Sequence, residues 1–171
     1  MWINVIAIAL VGGLALAPQP VSAQSGDTSS HVPAVDSAFQ NTTVVGVALA
    51  ENIQDREPVG SLTPSISCRK DGQSQAAAIP VVDSSANGQM FFWNTVEANA
   101  DTTLSHIWLM KRDQEWKPMA KVDLKIAKSH AYRTWSSKKF DRNWHLGEWK
   151  IEVARADQPD VVLCQSSFRV E

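Results

Sequence analysis

Gly147-Glu148-Trp149-Lys150-Ile151-Glu152-Val153 alternates apolar and charged side chains without a break. Successive side chains of an extended chain point to opposite faces, so Trp149, Ile151 and Val153 share one side and Lys150 and Glu152 the other. This predicts a half-buried β-strand opened by Gly147, with Trp149 in the core. The pattern recurs in both directions. Within Met119–Ala127, the residues Val122, Leu124 and Ile126 oppose Lys121, Asp123 and Lys125. In the last stretch, Cys164, Ser166, Phe168 and Val170 are expected inward, with Gln165 and Arg169 outward.

Further short segments rich in β-branched and aromatic residues occur at Val44–Ala50, Gln89–Ala98, Thr103–Met110 and Tyr132–Ser137, punctuated by Gly, Pro, Asn and Asp. Lys111–Pro118 is expected to be a longer charged connection between two antiparallel strands. Ser61–Ser85 reads as loop with one short strand at Ile79–Val82. No amphipathic helix of useful length competes. About seven strands over residues 44–171 predict an all-β fold, an immunoglobulin-like antiparallel β-sandwich, with a small barrel as the structural alternative.

Outward from this domain, the N-terminus reads as an address. Val5–Ala17 is almost continuously apolar and is followed by Pro-Gln-Pro and the small triplet Val21-Ser22-Ala23, the layout of a secretory signal peptide over residues 1–23. The run is shorter than the roughly 20 residues a spanning helix needs, so membrane attachment is expected only if this segment stays uncleaved. Residues 24–43, rich in Ser, Thr, Asp, Gln and Ala, read as a flexible tail. Export makes the chain periplasmic or secreted. It also makes Cys68 and Cys164 a disulfide pair, because such bonds persist outside the cytoplasm. The two lone cysteines have too few partners for a structural zinc site, and the scattered histidines show no metal-ligand spacing. At 171 residues, with 44% apolar residues, 20% charged residues and net charge −2, the chain has room for one globular domain and a processing segment. That balance excludes a globally basic nucleic-acid binder.

Four motifs stand in order along the chain: Arg56-Glu57-Pro58, His106-x-Trp108, Tyr132-Arg133-Thr134-Trp135-Ser136-Ser137-Lys138 and Gly147-x-Trp149-x-Ile151-x-Val153. Over approximately Val44 to Glu171 the sequence resembles the bacterial domain-of-unknown-function family 2914. The resemblance implies an exported domain with no assigned enzymatic activity, and it supplies no ligand or cofactor. The chain departs from the family pattern around Arg133, where Tyr132 and Trp135 look exchanged, and between Cys68 and Gly88, which looks longer.

The motifs favour structural roles over catalytic ones. Pro58 restricts Glu57 to extended geometry and is expected to end the first strand, with Arg56 tying the turn down through a carboxylate. His106 lies between apolar neighbours with no nucleophile motif beside it, which suits a hydrogen-bonded core residue better than a general base. The competing enzyme reading is a small hydrolase or transferase in which His106 acts with Glu57 or Asp123. A third reading is a structural subunit of an envelope assembly.

Six of the seven tryptophans follow the signal segment. Trp149 and Trp93 read as core, and Trp108 could face either side. Trp116, Trp135 and Trp144 have polar or charged neighbours. They read either as rings capping the sheet under Lys and Arg stems or as stacking platforms for a ligand. Charge is also uneven: Lys111–Lys150 holds 11 basic and 5 acidic residues, whereas 24–110 holds 3 and 9. A basic, tryptophan-rich half suits an anionic partner. The leading expectation is therefore a non-catalytic binding module of the cell envelope. Its candidate surface is Trp116, Trp135 and Trp144 with Lys138 and Arg142 as cations, and its partner a glycan, another anionic envelope component or an envelope protein. No cofactor and no nucleic acid is expected, and the sequence carries no signal of oligomeric state.

Overall fold

The computed structural model describes residues 42–62, 68, 79–85 and 88–171. The expected signal peptide and nearly all of the expected tail lie outside the described residues. Nine strands are described: β1 (Thr42–Gln54), β2 (Glu57–Ser61), β3 (Val81–Val82), β4 (Gln89–Ala98), β5 (Thr102–Arg112), β6 (Glu115–Ile126), β7 (Ser129–Lys139), β8 (Gly147–Arg155) and β9 (Gln158–Val170). The described residues contain no helix. The strands form two sheets, ordered β2-β1-β4-β7 and β3-β9-β8-β5-β6.

Both sheets contribute to one apolar cluster. Val47, Leu49, Phe92 and Val96 come from the four-stranded sheet, and Leu104, Trp108, Trp149, Ile151, Val153 and Phe168 from the five-stranded one. Alternation along β8 and β9 follows the sequence pattern, with Trp149, Ile151, Val153, Cys164, Phe168 and Val170 all buried. Trp108 is fully buried and turned to the core, which settles the side that the sequence left open. Its ring meets Phe168 edge-on at 6.3 Å, and Phe140 meets Trp149 at 5.1 Å. Each such side chain removed from water contributes about 1.5–3 kcal/mol before entropy is counted.

Two hairpins correct the expected connections. Lys111–Pro118 is no long loop: β5 and β6 continue to a two-residue turn, Asp113-Gln114, with φ of 53° and 65°. Two consecutive left-handed residues match the twist of an antiparallel pair and make the tightest hairpin. The charges of Lys111, Arg112, Glu115 and Lys117 hid it, because a hairpin tip meets water on both faces. Asp55-Arg56, with φ of 51° and 67°, makes the same turn between β1 and β2. Pro58 therefore does not end a strand; it lies inside β2, at a sheet edge, where a missing N–H is tolerated. Among the described residues Arg56 is not held by a carboxylate as expected. It stacks over Tyr132 at 5.9 Å and donates to the Arg133 carbonyl at 3.4 Å, while Glu57 pairs with Arg133 at 2.7 Å.

The short strand expected at Ile79–Val82 is Val81–Val82, lying parallel to the end of β9. Cys68 and Cys164 are disulfide-bonded, with Cα atoms 5.3 Å apart and Cys164 buried in β9 opposite Val153. No helix among the described residues is long and apolar enough to cross a membrane.

Candidate functional site

The buried polar groups around His106 decide whether it is available for chemistry. His106 and Trp108 project from β5 into the core and meet Asn94 of β4 and Ser136 of β7, so the contacts join the two sheets. The Trp108 indole can only donate, and it donates to Ser136 Oγ at 3.1 Å. The Ser136 hydroxyl then donates to His106 Nδ1 at 2.9 Å, and Nε2–H donates to Asn94 Oδ1 at 3.0 Å. This chain fixes a neutral imidazole. Burial pushes the His106 pKa down to about 3.

The residues named for an enzyme do not converge on it. Asp123 accepts from Ser105 at 2.6 Å, and Ser105 faces the opposite side of β5 from His106. Glu57 is engaged by Arg133 at the β1–β2 turn. Among the described residues no three His, Cys, Asp or Glu side chains are placed to hold a metal ion.

The tryptophans expected to form one surface separate into three settings. Trp116 is carried by β6, not by a loop as expected, and is half-buried with Lys150 Nζ 5.0 Å over its ring. Lys150 also pairs with Glu152 at 2.5 Å, so the ammonium on this ring is already engaged. Trp135 lies in β7, half-buried, opposite Trp93 of β4 in the other sheet. Trp144 lies in the connection between β7 and β8 and is 69% exposed, with Leu146 beside it at 50%.

The β7–β8 connection that carries Trp144 lies at an end of the domain where cations gather. Lys138 shares the pleat phase of buried Thr134 and Ser136, and so leaves β7 toward the end of the core, with Nζ 5.5 Å over the Trp149 ring. Burial lowers its pKa. Arg112, at the end of β5, donates from Nη2 to the Trp144 carbonyl. Arg142 is exposed in the same connection.

None of these three basic side chains is in a salt bridge among the described residues, whereas Lys111, Lys117, Lys121 and Lys150 all are. The connection itself is tied by hydrogen bonds. Trp144 and His145 N–H donate to the Asp141 carbonyl at 3.1 and 2.9 Å, and Asn143 N–H donates to Asp141 Oδ1 at 2.8 Å. An Asp side chain that accepts from a backbone N–H two residues on is a common way to stabilise such a turn. Gly147 closes it with φ of 123°, a conformation that favours glycine.

Two shallow clefts are described, one at the far end of β5 and one beside the β5–β6 turn, next to the Trp144 connection. The larger, about 360 Å³, is lined by Asp101, Thr102, Thr103, Lys125, Ile126, Ala127 and Tyr132, with one acid and one base on its walls. The other, about 250 Å³, is bordered by Lys111, Asp113, Gln114, Gly147, Glu148 and Arg169 and is crossed by the 2.9 Å Lys111–Glu148 pair. Neither concentrates one sign of charge beside an exposed aromatic ring. The end formed by Arg112, Lys138, Arg142, His145 and Trp144 does. Trp144, Lys138 and Arg142 were among the candidates read from the sequence. Arg112 and His145 were not, because the β5–β6 turn that positions Arg112 was read as a loop and His145 shows no ligand spacing.

Fold and geometry thus describe a disulfide-bonded all-β domain of two sheets with a basic, aromatic end. The family model for a protein of unknown function, DUF2914, matches residues 101–170, and it is the same family that the sequence resembles. The match spans β5 to the end of β9 and includes the motifs at His106, Tyr132 and Gly147; Arg56-Glu57-Pro58 lies outside it. No curated protein matches the chain.

Proposed function

We propose that this is an exported binding module of the bacterial cell envelope, an immunoglobulin-like β-sandwich that holds an anionic component, such as an acidic glycan, at the Trp144 end. The observation that carries the reading is the set of three basic side chains, Arg112, Lys138 and Arg142, that have no salt bridge among the described residues and lie at the connection carrying a 69% exposed tryptophan. An exposed indole stacks on sugar rings, and unneutralised cations attract and orient an acidic group. The disulfide fits an oxidising compartment, periplasmic or extracellular. The β9-β8-β5-β6 order with β3 parallel at its edge, and a tryptophan buried on β5, fit an immunoglobulin-like arrangement. Attachment to a membrane enters only if residues 1–23 are retained.

A glycan array probed at low and high salt tests the function. The protein is expected to retain acidic glycans at low salt and release them at high salt, because exposed charges are screened. Trp144→Ala is expected to change folding stability by less than about 0.5 kcal/mol while lowering retention several-fold. Equal retention of neutral and acidic glycans, or retention by the variant equal to that of the parent, contradicts the proposal.

A further inference from the structure

The Trp144 end contains a donor arrangement more specific than a basic patch, and the following inference rests on the ligand-binding reading above. Asp141 N–H donates to His145 Nδ1 at 2.8 Å. A ring nitrogen that accepts a backbone N–H carries the lone pair, so the hydrogen of the neutral ring sits on Nε2. Protonating Nδ1 would require breaking that bond. The ring is also held in place, edge-on to Phe140 at 6.1 Å and to Trp149 at 5.6 Å.

Lys138 lies over the same Trp149 ring from β7, and Arg112 reaches the connection from β5. Burial and the nearby Lys138 and Arg112 charges lower the His145 pKa, and Asp141 opposes them without reversing the direction. One Asp141 oxygen is already occupied by Asn143 N–H. The result is two cations and one neutral N–H donor, drawn from three separate elements.

We propose that Arg112, Lys138 and the Nε2–H of His145 form a binding site for a tetrahedral oxyanion, the phosphate or sulfate group of an ester. The two cations outweigh the Asp141 carboxylate beside them and attract the oxyanion's negative charge, and the oxyanion has oxygens enough to accept from three directions, where a carboxylate has two oxygens in one plane. His145 donates there through Nε2–H, its Nδ1 being held by the Asp141 N–H. Trp144 flanks the site and stacks on the ring that bears the ester.

The test is ¹H–¹⁵N NMR of the His145 side chain during titration with inorganic phosphate and with sulfate, ionic strength held constant with chloride. Saturable shifts are expected with both anions. With sulfate, whose charge does not change near neutrality, the Nε2–H tautomer is expected in the bound state at pH 8. Arg112→Gln and Lys138→Gln are each expected to weaken binding about tenfold, the value of one charge-assisted hydrogen bond. Unsaturable shifts, unchanged affinity in both variants, or an imidazolium in the bound state at pH 8 would overturn the assignment. Polygalacturonate separates the two levels of the argument. If it binds where phosphate and sulfate do not, the face is a ligand site and the oxyanion assignment fails; if none of the three binds, the ligand-binding reading fails too.

Discussion

Folding stability is expected to fall as the pH drops below about 6.5, and His106 is expected to account for one proton of that dependence. In the folded protein its pKa is pushed to about 3 by burial, from 6.5 in the unfolded chain. Between those values the unfolded state binds a proton that the native state refuses, so stability rises with pH across the window and is complete above it. The difference amounts to roughly 5 kcal/mol over the full window. That is a large part of the 5–15 kcal/mol available to an ordinary domain.

His145, whose pKa is also lowered by burial, acts in the same direction. Asp157, lowered by its hydrogen bond to Arg155, and Asp123, lowered by its hydrogen bond to Ser105, withdraw their contributions only in the carboxylate range. Denaturant unfolding at a series of pH values, compared with His106→Gln, separates these groups. The variant is expected to lose about one proton of uptake between pH 6.5 and pH 4. Superimposable pH profiles would show that His106 is not neutral and buried in solution.

Reduction of the Cys68–Cys164 bond is expected to have an effect of similar size. The bond closes a loop of 96 residues. The loop-entropy relation assigns such a closure about 4–5 kcal/mol, through the freedom it removes from the unfolded chain. Cys164 is fully buried, so replacing the half-cystine by Ser adds a buried hydroxyl to the loss. The Cys68→Ala/Cys164→Ala double variant isolates the cross-link. Its midpoint in urea is expected to fall to a value matched by the reduced parent. A double variant as stable as the oxidised parent would show that the bond contributes nothing.

Most of the strand framework was legible because alternation survives wherever one face of a strand is wet. Val122, Leu124 and Ile126 against Lys121, Asp123 and Lys125 is the simplest case, and β8 and β9 repeat it. Two kinds of feature were not legible. Turns of consecutive left-handed residues at Asp55-Arg56 and Asp113-Gln114 lack the Asn-Gly or Gly-Gly pairs that usually announce them, so β2 and the true length of β5 and β6 were missed. The other kind is convergence. Alternation cannot show which of two apolar faces Trp108 takes in a strand buried on both sides.

Nor does sequence spacing place Arg112 beside Trp144, 32 positions away, because that depends on where the β7–β8 connection crosses the end of the domain. Of the three tryptophans read as one surface, Trp116 and Trp135 belong to different sheets. Trp144 alone keeps the exposure that a stacking platform needs.

The central claim is that ligand contact occurs at the end built from Arg112, Lys138, Arg142 and Trp144. Backbone amide chemical-shift mapping during titration with an acidic glycan retained by the array tests it most directly. The account predicts saturable shifts confined to residues 111–114 and 138–147, with those lining the opposite cleft, 101–103 and 125–127, unmoved. Shifts centred on that cleft, or spread evenly over both sheets, would contradict it.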